Sequence, residues 1–257
     1  MGSRSSSDAG RPTTSGPDRG PRLDAYLSRA GLLSRKAARL QIGRGQVRVD
    51  GEVCRDATRR ISAREVVTYG DNRVESPAQN ADYLMNKPVG YACSHDEREA
   101  PRVLDLLEPE LLRRPLKLVG RLDRATSGLL ILTTDGALVH ALTHPSGHCE
   151  KRYRIEYSGE LAADSVARCA EGLMLQGDTR PTRPSTLTLD APGEATLHLR
   201  EGRTHQVRRM IRALGGRVTA LHRDRVGGLD LPADLAPGAL RPLLEEERAL
   251  LLTESSL

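Results

Sequence analysis

The sequence predicts an α+β fold in two parts, and three observations predict it. Residues 22–70 read as two short helices followed by a hairpin. Residues 71–81 (DNRVESPAQNA) are polar, hold Pro77 and have little to bury, which marks a linker. From Asp82 onward strand patterns dominate, and the run Leu129-Leu130-Ile131-Leu132 has the length and composition of a buried strand. A chain of 257 residues can make a small domain and a medium one with a real core. That core must come from Leu, Val, Ile and Ala, because there are six Tyr and no Phe or Trp.

The charge is clustered. Residues 22–60 hold ten Arg or Lys against four acids, and residues 200–225 hold eight Arg against two. Two such clusters in a chain of net charge +5 point to a polyanionic partner; a merely solvated charged face would be spread more evenly. The four cysteines are scattered without a CxxC pair, so zinc and redox motifs find no support, and free thiols fit a cytoplasmic protein. No apolar stretch reaches membrane-spanning length, and none forms a signal-peptide core.

Residues 1–21 are rich in Ser, Gly, Pro and Arg and cannot offset the entropy of ordering, which predicts a disordered tail. In RLDAYLSRAG, Leu23, Tyr26, Leu27 and Ala30 share a helical face that ends at Gly31. Ser34 is placed to cap RKAARLQIG, with Ala37, Ala38, Leu40 and Ile42 free to pack and Gly43 as the stop. QVRVDGEVC alternates around Asp50-Gly51, a hairpin signal. Two helices and a hairpin in this order, and RLDAYLSRAGLLSRKAARLQIGRGQVRVDGEV nearly throughout, resemble the S4 RNA-binding domain. The resemblance implies an RNA face of Arg35, Lys36 and Arg39, with Arg44 and Arg48 close by. Guanidinium groups on a fixed helix grip phosphates and need not read sequence.

In the second part Tyr83, Leu84 and Met85 read as strand, which Lys87-Pro88 must leave because proline donates nothing to a ladder. A short helix at 103–108 and a strand at 116–119 lead to a polar knot: Gly120, Arg121, Asp123, Arg124, Thr126, Ser127 and Gly128. A polar loop feeding a buried strand holds side chains still at a surface, as catalytic groups require. Spacing alone is equally compatible with an Asp123 that caps its own backbone or pairs with Arg121 or Arg124. A short helix follows in ALVHALTH. Lys151 to Tyr157 alternates, with Tyr153, Ile155 and Tyr157 on one face; Tyr153 reads as core or as functional with equal ease. Residues 162–173 are helical, and STLTL and ATLHLR pair around Pro192-Gly193. Thr204 is placed to cap a helix with Val207, Met210, Ile211 and Leu214 on one side and Arg208, Arg209 and Arg212 on the others. The chain closes with a turn and a helix starting at Pro242.

GRLDRATSGLLILTTDG resembles the central motif of the pseudouridine synthases, in the branch that modifies ribosomal RNA and carries an S4 domain. NKPVG and EGRTHQVRRM resemble that family's first and third motifs, with Ile211 replacing a usual aromatic. The resemblance covers about residues 22–245. It implies a mixed, mainly antiparallel β-sheet catalytic domain with flanking helices over residues 82–257. It also implies that Asp123 is catalytic, that Arg208 pairs with it, and that Tyr153 lies against the target base. Arg121 would fill the space left by a flipped base, Lys87, Arg203 and Arg209 would meet RNA, and Asn86 and Leu221 would border the pocket. The reaction implied breaks the C1′–N1 bond of a uridine, turns the uracil and forms C1′–C5. Nothing enters or leaves but a proton exchanged at each end, so neither a cofactor nor a metal is required. Whether Asp123 attacks C1′ or takes the C2′ proton is open at this stage.

GYACS, GHCEKRY, LHRDRVGGLDL and DLAPGALRPL look closest to the synthases of small-subunit (16S) ribosomal RNA, with large-subunit (23S) relatives sharing the core motifs. A monomer acting on a ribosomal-subunit precursor is the expected working form. Three other classes compete. A non-catalytic S4-type assembly factor would not need Asp123, Tyr153 and Arg208 together. A glycosidase normally needs two carboxylates, where the knot offers one. A DNA-binding protein would need a groove-reading helix pair that the pattern lacks.

Overall fold

The structure, a computed structural model, describes residues 20–30, 32–62, 64–74, 81–144 and 149–253. Nearly all of the expected tail, the expected stop at Gly31 and most of the expected linker lie outside them. The chain divides into two compact units between Ala78 and Gln79.

In the first unit α1 (Leu23–Arg29) and α2 (Arg35–Gly43) precede β1 (Val47–Val49), β2 (Glu52–Val53), β3 (Val67–Tyr69) and β4 (Asn72–Val74). The strands form an antiparallel sheet ordered β2-β1-β3-β4. Ser34 caps α2 as expected, its hydroxyl accepting from the Ala37 amide at 3.2 Å. Asp50 and Gly51 both take positive φ, the geometry of a type I′ hairpin turn. Leu23, Tyr26, Leu27, Ala38 and Ile42 close over Val47, Val49 and Val67. Leu40, expected in that core, is half exposed, because α2 buries only Ala38 and Ile42. Strand β4 occupies residues that the polarity of 71–81 had suggested were linker.

The second unit is built on one sheet of nine strands. In chain order come β5 (Asp82–Lys87), α3 (Pro109–Leu112), β6 (Lys117–Val119), β7 (Ser127–Thr133), α4 (Gly136–Thr143), β8 (Lys151–Ser158) and α5 (Ser165–Glu171). Then follow β9 (Thr186–Ala191), β10 (Glu194–Leu199), α6 (Gln206–Ala213), β11 (Arg217–Val226), β12 (Leu229–Asp230), β13 (Leu240–Pro242) and α7 (Glu245–Leu252). The main path runs β13-β5-β7-β11-β8-β10-β9, with β6 also on β7 and β12 on β11. Every pairing is antiparallel except β7 with β11, so the sheet is mixed and mainly antiparallel.

That parallel pair is a seam between two antiparallel halves. On the β8-β10-β9 side, Ile155, Leu197 and Leu221 pack under Val207, Met210 and Ile211 of α6. On the β5 side, Leu84, Leu129 and Ile131 pack with Leu138 and Leu142 of α4, and Met85, Leu130 and Leu132 with Val103 and Leu104. The seam requires glycine at 128: its φ is +111°, and a Cβ there would lie 2.2 Å from the Arg223 carbonyl oxygen. The buried Arg223 guanidinium crosses the seam to the Leu129 carbonyl, donating from Nε at 3.0 Å and from Nη2 at 2.7 Å.

Three boundaries differ from the pattern. β5 continues through Lys87, and Pro88 ends it. Pro242 closes β13 instead of opening a helix, a place that an edge strand tolerates. Thr204 does not cap α6; His205 stands at that position, without a side-chain cap, in the left-handed region.

Candidate active site

The polar knot is a loop between β6 and β7, and its backbone is fastened before its side chains reach the cleft. The Asp123 carbonyl accepts from the Thr126 amide at 2.9 Å, closing a tight turn. Lys87, with no exposed surface, sends Nζ into the back of that turn, donating to the carbonyls of Thr126 (2.7 Å), Pro88 (2.9 Å) and Asp123 (3.2 Å). Burial pushes the Lys87 pKa down, and Cys93 and Asp123 act against that shift. The Leu122 amide donates to Cys93 Sγ at 3.4 Å, and burial raises that thiol. The Arg124 carbonyl accepts from the Gly90 amide at 2.7 Å, while its guanidinium donates to the carbonyls of Glu99, Gly90 and Ala100.

With the loop so held, Arg121 and Asp123 line a cleft of about 700 Å³. Tyr153 and Leu221 line it from adjacent strands of the sheet, β8 and β11. Lys151 lines it too, its Nζ donating to the carbonyls of Cys149 (2.6 Å) and Leu142 (3.2 Å), with burial lowering its pKa. One side chain of the knot is therefore a partly exposed carboxylate in a cleft that several cationic side chains and the Tyr153 ring also line. Such a site favours a polyanion, and Asp123 is the carboxylate that the loop itself brings to it; Glu99 and Glu201 also line the cleft.

The cleft thus gathers Asp123, Tyr153, Arg121, Leu221 and Arg203 of the expected set. It does not gather the rest. Arg208 donates from Nη2 to the Ala125 carbonyl at 2.9 Å, and among the described residues its guanidinium forms no ion pair with Asp123. The side chain that faces the Asp123 carboxylate is instead His205, with Nε2 3.6 Å from Oδ1. Lys87 is buried and cannot be an RNA contact as it stands. Asn86 is also buried, away from the cleft lining; its Nδ2 donates to the Leu235 carbonyl at 2.8 Å and its backbone holds residues 238–239. Arg203 spends its guanidinium on Asp178, Glu201 and the carbonyls of Arg180 and Pro181. Arg209 spends its own on Asp178 and the Gln176 carbonyl. Arg203 thus ties the segment before α6, and Arg209 ties α6 itself, to residues 176–181, a structural role.

His205, Lys151 and Arg223 also line the cleft, and the sequence pattern assigned none of them a role there. His205 lies inside the RTHQVRR stretch, where the arginines drew attention. Lys151 and Arg223 carried the one available signal, a cation on the inward side of a strand.

In the first unit Arg35 (3.0 Å), Arg39 (2.8 Å) and Arg22 (3.3 Å) converge on the buried carboxylate of Asp24. Burial works to raise the Asp24 pKa, but the hydrogen bonds from Arg39 and Arg35 and the charges of Arg35 and Arg22 outweigh it, and the net direction is down. Arg35 and Arg39 remain half exposed. Lys36 and Arg44 are exposed, and neither side chain has a hydrogen-bond or ionic partner among the described residues. Arg48 is exposed and donates to the Gly51 carbonyl at 3.1 Å. Among the described residues no helix is long and apolar enough to cross a membrane, and no cluster of His, Cys, Asp and Glu could hold a metal ion.

Comparison with known proteins identifies a family. Residues 83–213 match the family model for RNA pseudouridylate synthase, and residues 21–67 match the S4 domain. The chain is 40% identical over 228 residues to ribosomal small subunit pseudouridine synthase A of Escherichia coli (strain K12), covering 89% of this chain and 98% of that protein. It is 34% identical over 226 residues to the protein of the same name from Haemophilus influenzae, covering 88% and 97%. A solved structure described as a pseudouridylate synthase superposes with a TM-score of 0.65 at 34% identity, covering 90% of this chain and all of the other.

Proposed function

Because this chain belongs to the RNA pseudouridylate synthases and carries an S4 domain, we propose that it converts one uridine of small-subunit (16S) ribosomal RNA to pseudouridine, with Asp123 as the catalytic carboxylate. The substrate reading follows the printed name of relatives that match it nearly end to end. The observation that carries the site reading is the Asp123 carboxylate itself: it is one-third exposed at the cleft, on a loop whose backbone is fastened at Lys87, Thr126, Gly90 and Cys93.

The target base leaves its stack at a cost of a few kcal/mol. Arg121 enters the space vacated. Tyr153 and Leu221 receive the uracil, the ring of Tyr153 stacking on its face. Asp123 initiates cleavage of C1′–N1, the uracil turns, C1′–C5 forms, and the C5 proton is released while N1 takes one up. Lys36, Arg44 and the exposed edges of Arg35 and Arg39 hold RNA phosphates and so supply affinity. The working form is a monomer on a small-subunit precursor in the cytoplasm.

The test is carbodiimide mapping of pseudouridine in ribosomal RNA from a strain lacking this gene, followed by in vitro modification of that strain's RNA. A single 16S position lost in the deletion and restored by the purified protein is the expected result. A lost 23S position would reassign the substrate. An unchanged map, with no tritium release from 5-tritiated uridine in either RNA, would overturn the reading.

A further inference from the structure

The residue aimed at Asp123 from across the cleft is His205. Its Nε2 lies 3.6 Å from Asp123 Oδ1, and its ring has no other hydrogen-bond or ionic partner among the described residues. A closure of well under 1 Å would make this a hydrogen bond of ordinary length. The imidazole is largely exposed, so no packing demand explains where it points.

The backbone at His205 is unusual. Its φ of 51° and ψ of 31° lie in the left-handed region. Among the described residues only Asp50 and His205 do this without being glycine. Asp50 has a plain reason, a two-residue hairpin turn that needs φ > 0. At His205 glycine would adopt the same backbone more easily, so a side chain held there calls for a use.

The surroundings hold the conformation in place. The Arg203 amide donates to Gln206 Oε1 at 2.9 Å, and Gln206 Nε2 donates to Glu201 Oε1 at 2.7 Å. The Arg203 guanidinium is fixed to Asp178, Glu201 and two carbonyls. On the other side the His205 carbonyl accepts from the Arg209 amide at 3.0 Å. Arg203 and Gln206, on either side of the Thr204-His205 pair, are held in place, and the His205 ring is presented to the carboxylate.

We propose that His205 is a positioning residue for Asp123, holding the carboxylate's rotamer and sharing its charge in the RNA-free enzyme. This rests on the reading of Asp123 as the catalytic group. Arg208, bound to the Ala125 carbonyl, supports the same turn from its backbone side. His205 supports it from the side-chain end.

The experiment compares wild type with His205→Gly, His205→Asn and His205→Gln by single-turnover isomerisation at saturating enzyme, RNA affinity and thermal melting. Glycine suits the left-handed backbone better than histidine, so a purely structural His205 predicts an equal or higher melting temperature and an unchanged rate. The positioning role predicts a single-turnover rate lower by about tenfold or more, with RNA Kd within about twofold of wild type. His205→Gln, whose amide nitrogen reaches toward the place of Nε2, recovers part of the loss. If His205→Gly does not fold, His205→Asn decides: asparagine tolerates the left-handed region but is too short to reach Asp123, so its rate falls likewise. A wild-type rate in either folded short variant, or a weakened Kd with an unchanged rate, overturns the proposal. Asp123→Asn is run beside them. If that variant is inactive while the His205 variants match wild type, this proposal alone fails. If Asp123→Asn is fully active, the reading of the site fails.

Discussion

Lys87 Nζ donates to the backbone carbonyl of Asp123 at 3.2 Å from a position with no solvent exposure. A lysine expected at the RNA surface is thus an internal strut for the turn that carries the carboxylate. Lys87→Met keeps most of the volume and removes the donor from three carbonyls. An unpaired buried polar group costs about 1–3 kcal/mol, so melting should drop by several degrees. The isomerisation rate should fall more than about tenfold as the turn loosens, while RNA Kd stays put. A raised Kd with a normal rate would return Lys87 to the RNA face.

Asp123→Asn preserves shape and removes charge. RNA should bind as before, and tritium release from 5-tritiated uridine should fall to background. Arg208→Ala should also slow turnover, by loosening the Ala125 carbonyl two residues away. Arg208→Lys should recover part of the loss, since an ammonium can still donate to one carbonyl. Were Arg208 needed only as a counter-charge, lysine would restore nearly everything.

The difference between these readings shows what the sequence could carry. The buried strand at 129–132, the Asp50-Gly51 turn and the Ser34 cap were legible because each is a local rule with a local cause. Asp123, Tyr153 and Leu221 were legible as a set only through the resemblance, since strands β7, β8 and β11 meet by long-range pairing. The buried places of Lys87 and Asn86 and the long-range pairings of Arg203 and Arg209 share a cause. Each is a polar residue that chemistry places outside by default, and each is satisfied by carbonyls or carboxylates far along the chain, which no local pattern announces.

The seam yields its own test. Gly128→Ala would set a methyl 2.2 Å from the Arg223 carbonyl oxygen on a backbone with φ of +111°. Backbone, not a yielding side chain, opposes it, so β7 and β11 must separate. A loss of about 3 kcal/mol or more should appear in chemical denaturation. A loss under about 1 kcal/mol would mean that the seam shifts freely.

Asp24 links stability of the first unit to acid. Its folded pKa lies below the ordinary 3.8 because Arg39 and Arg35 outweigh the effect of burial. Its contribution is therefore present above the unfolded value and is lost as pH falls through the folded one. Amide exchange in α1 and α2, corrected for intrinsic rate, should quicken below about pH 4. Asp24→Asn should show raised exchange already at neutral pH and little further change on acidification. Identical pH profiles in the two proteins would remove Asp24 from the account.

The same ion cluster dictates how RNA binding by the S4 helix must be tested. Arg35 and Arg39 both hold Asp24 and stay half exposed, so replacing them confounds folding with binding. Lys36 and Arg44 are exposed and have no side-chain partner among the described residues, so their removal leaves the fold untouched. The double variant Lys36→Ala, Arg44→Ala should melt like wild type and bind RNA more weakly. The log–log salt slope of its affinity should flatten by roughly 0.7–0.9 for each phosphate that is no longer neutralised. Turnover at saturating RNA should hold, because neither residue belongs to the proposed catalytic set. An unchanged slope would make this a solvated face and assign the phosphates to Arg35 and Arg39, where Lys replacements, which keep the charge near Asp24, are the variants to measure.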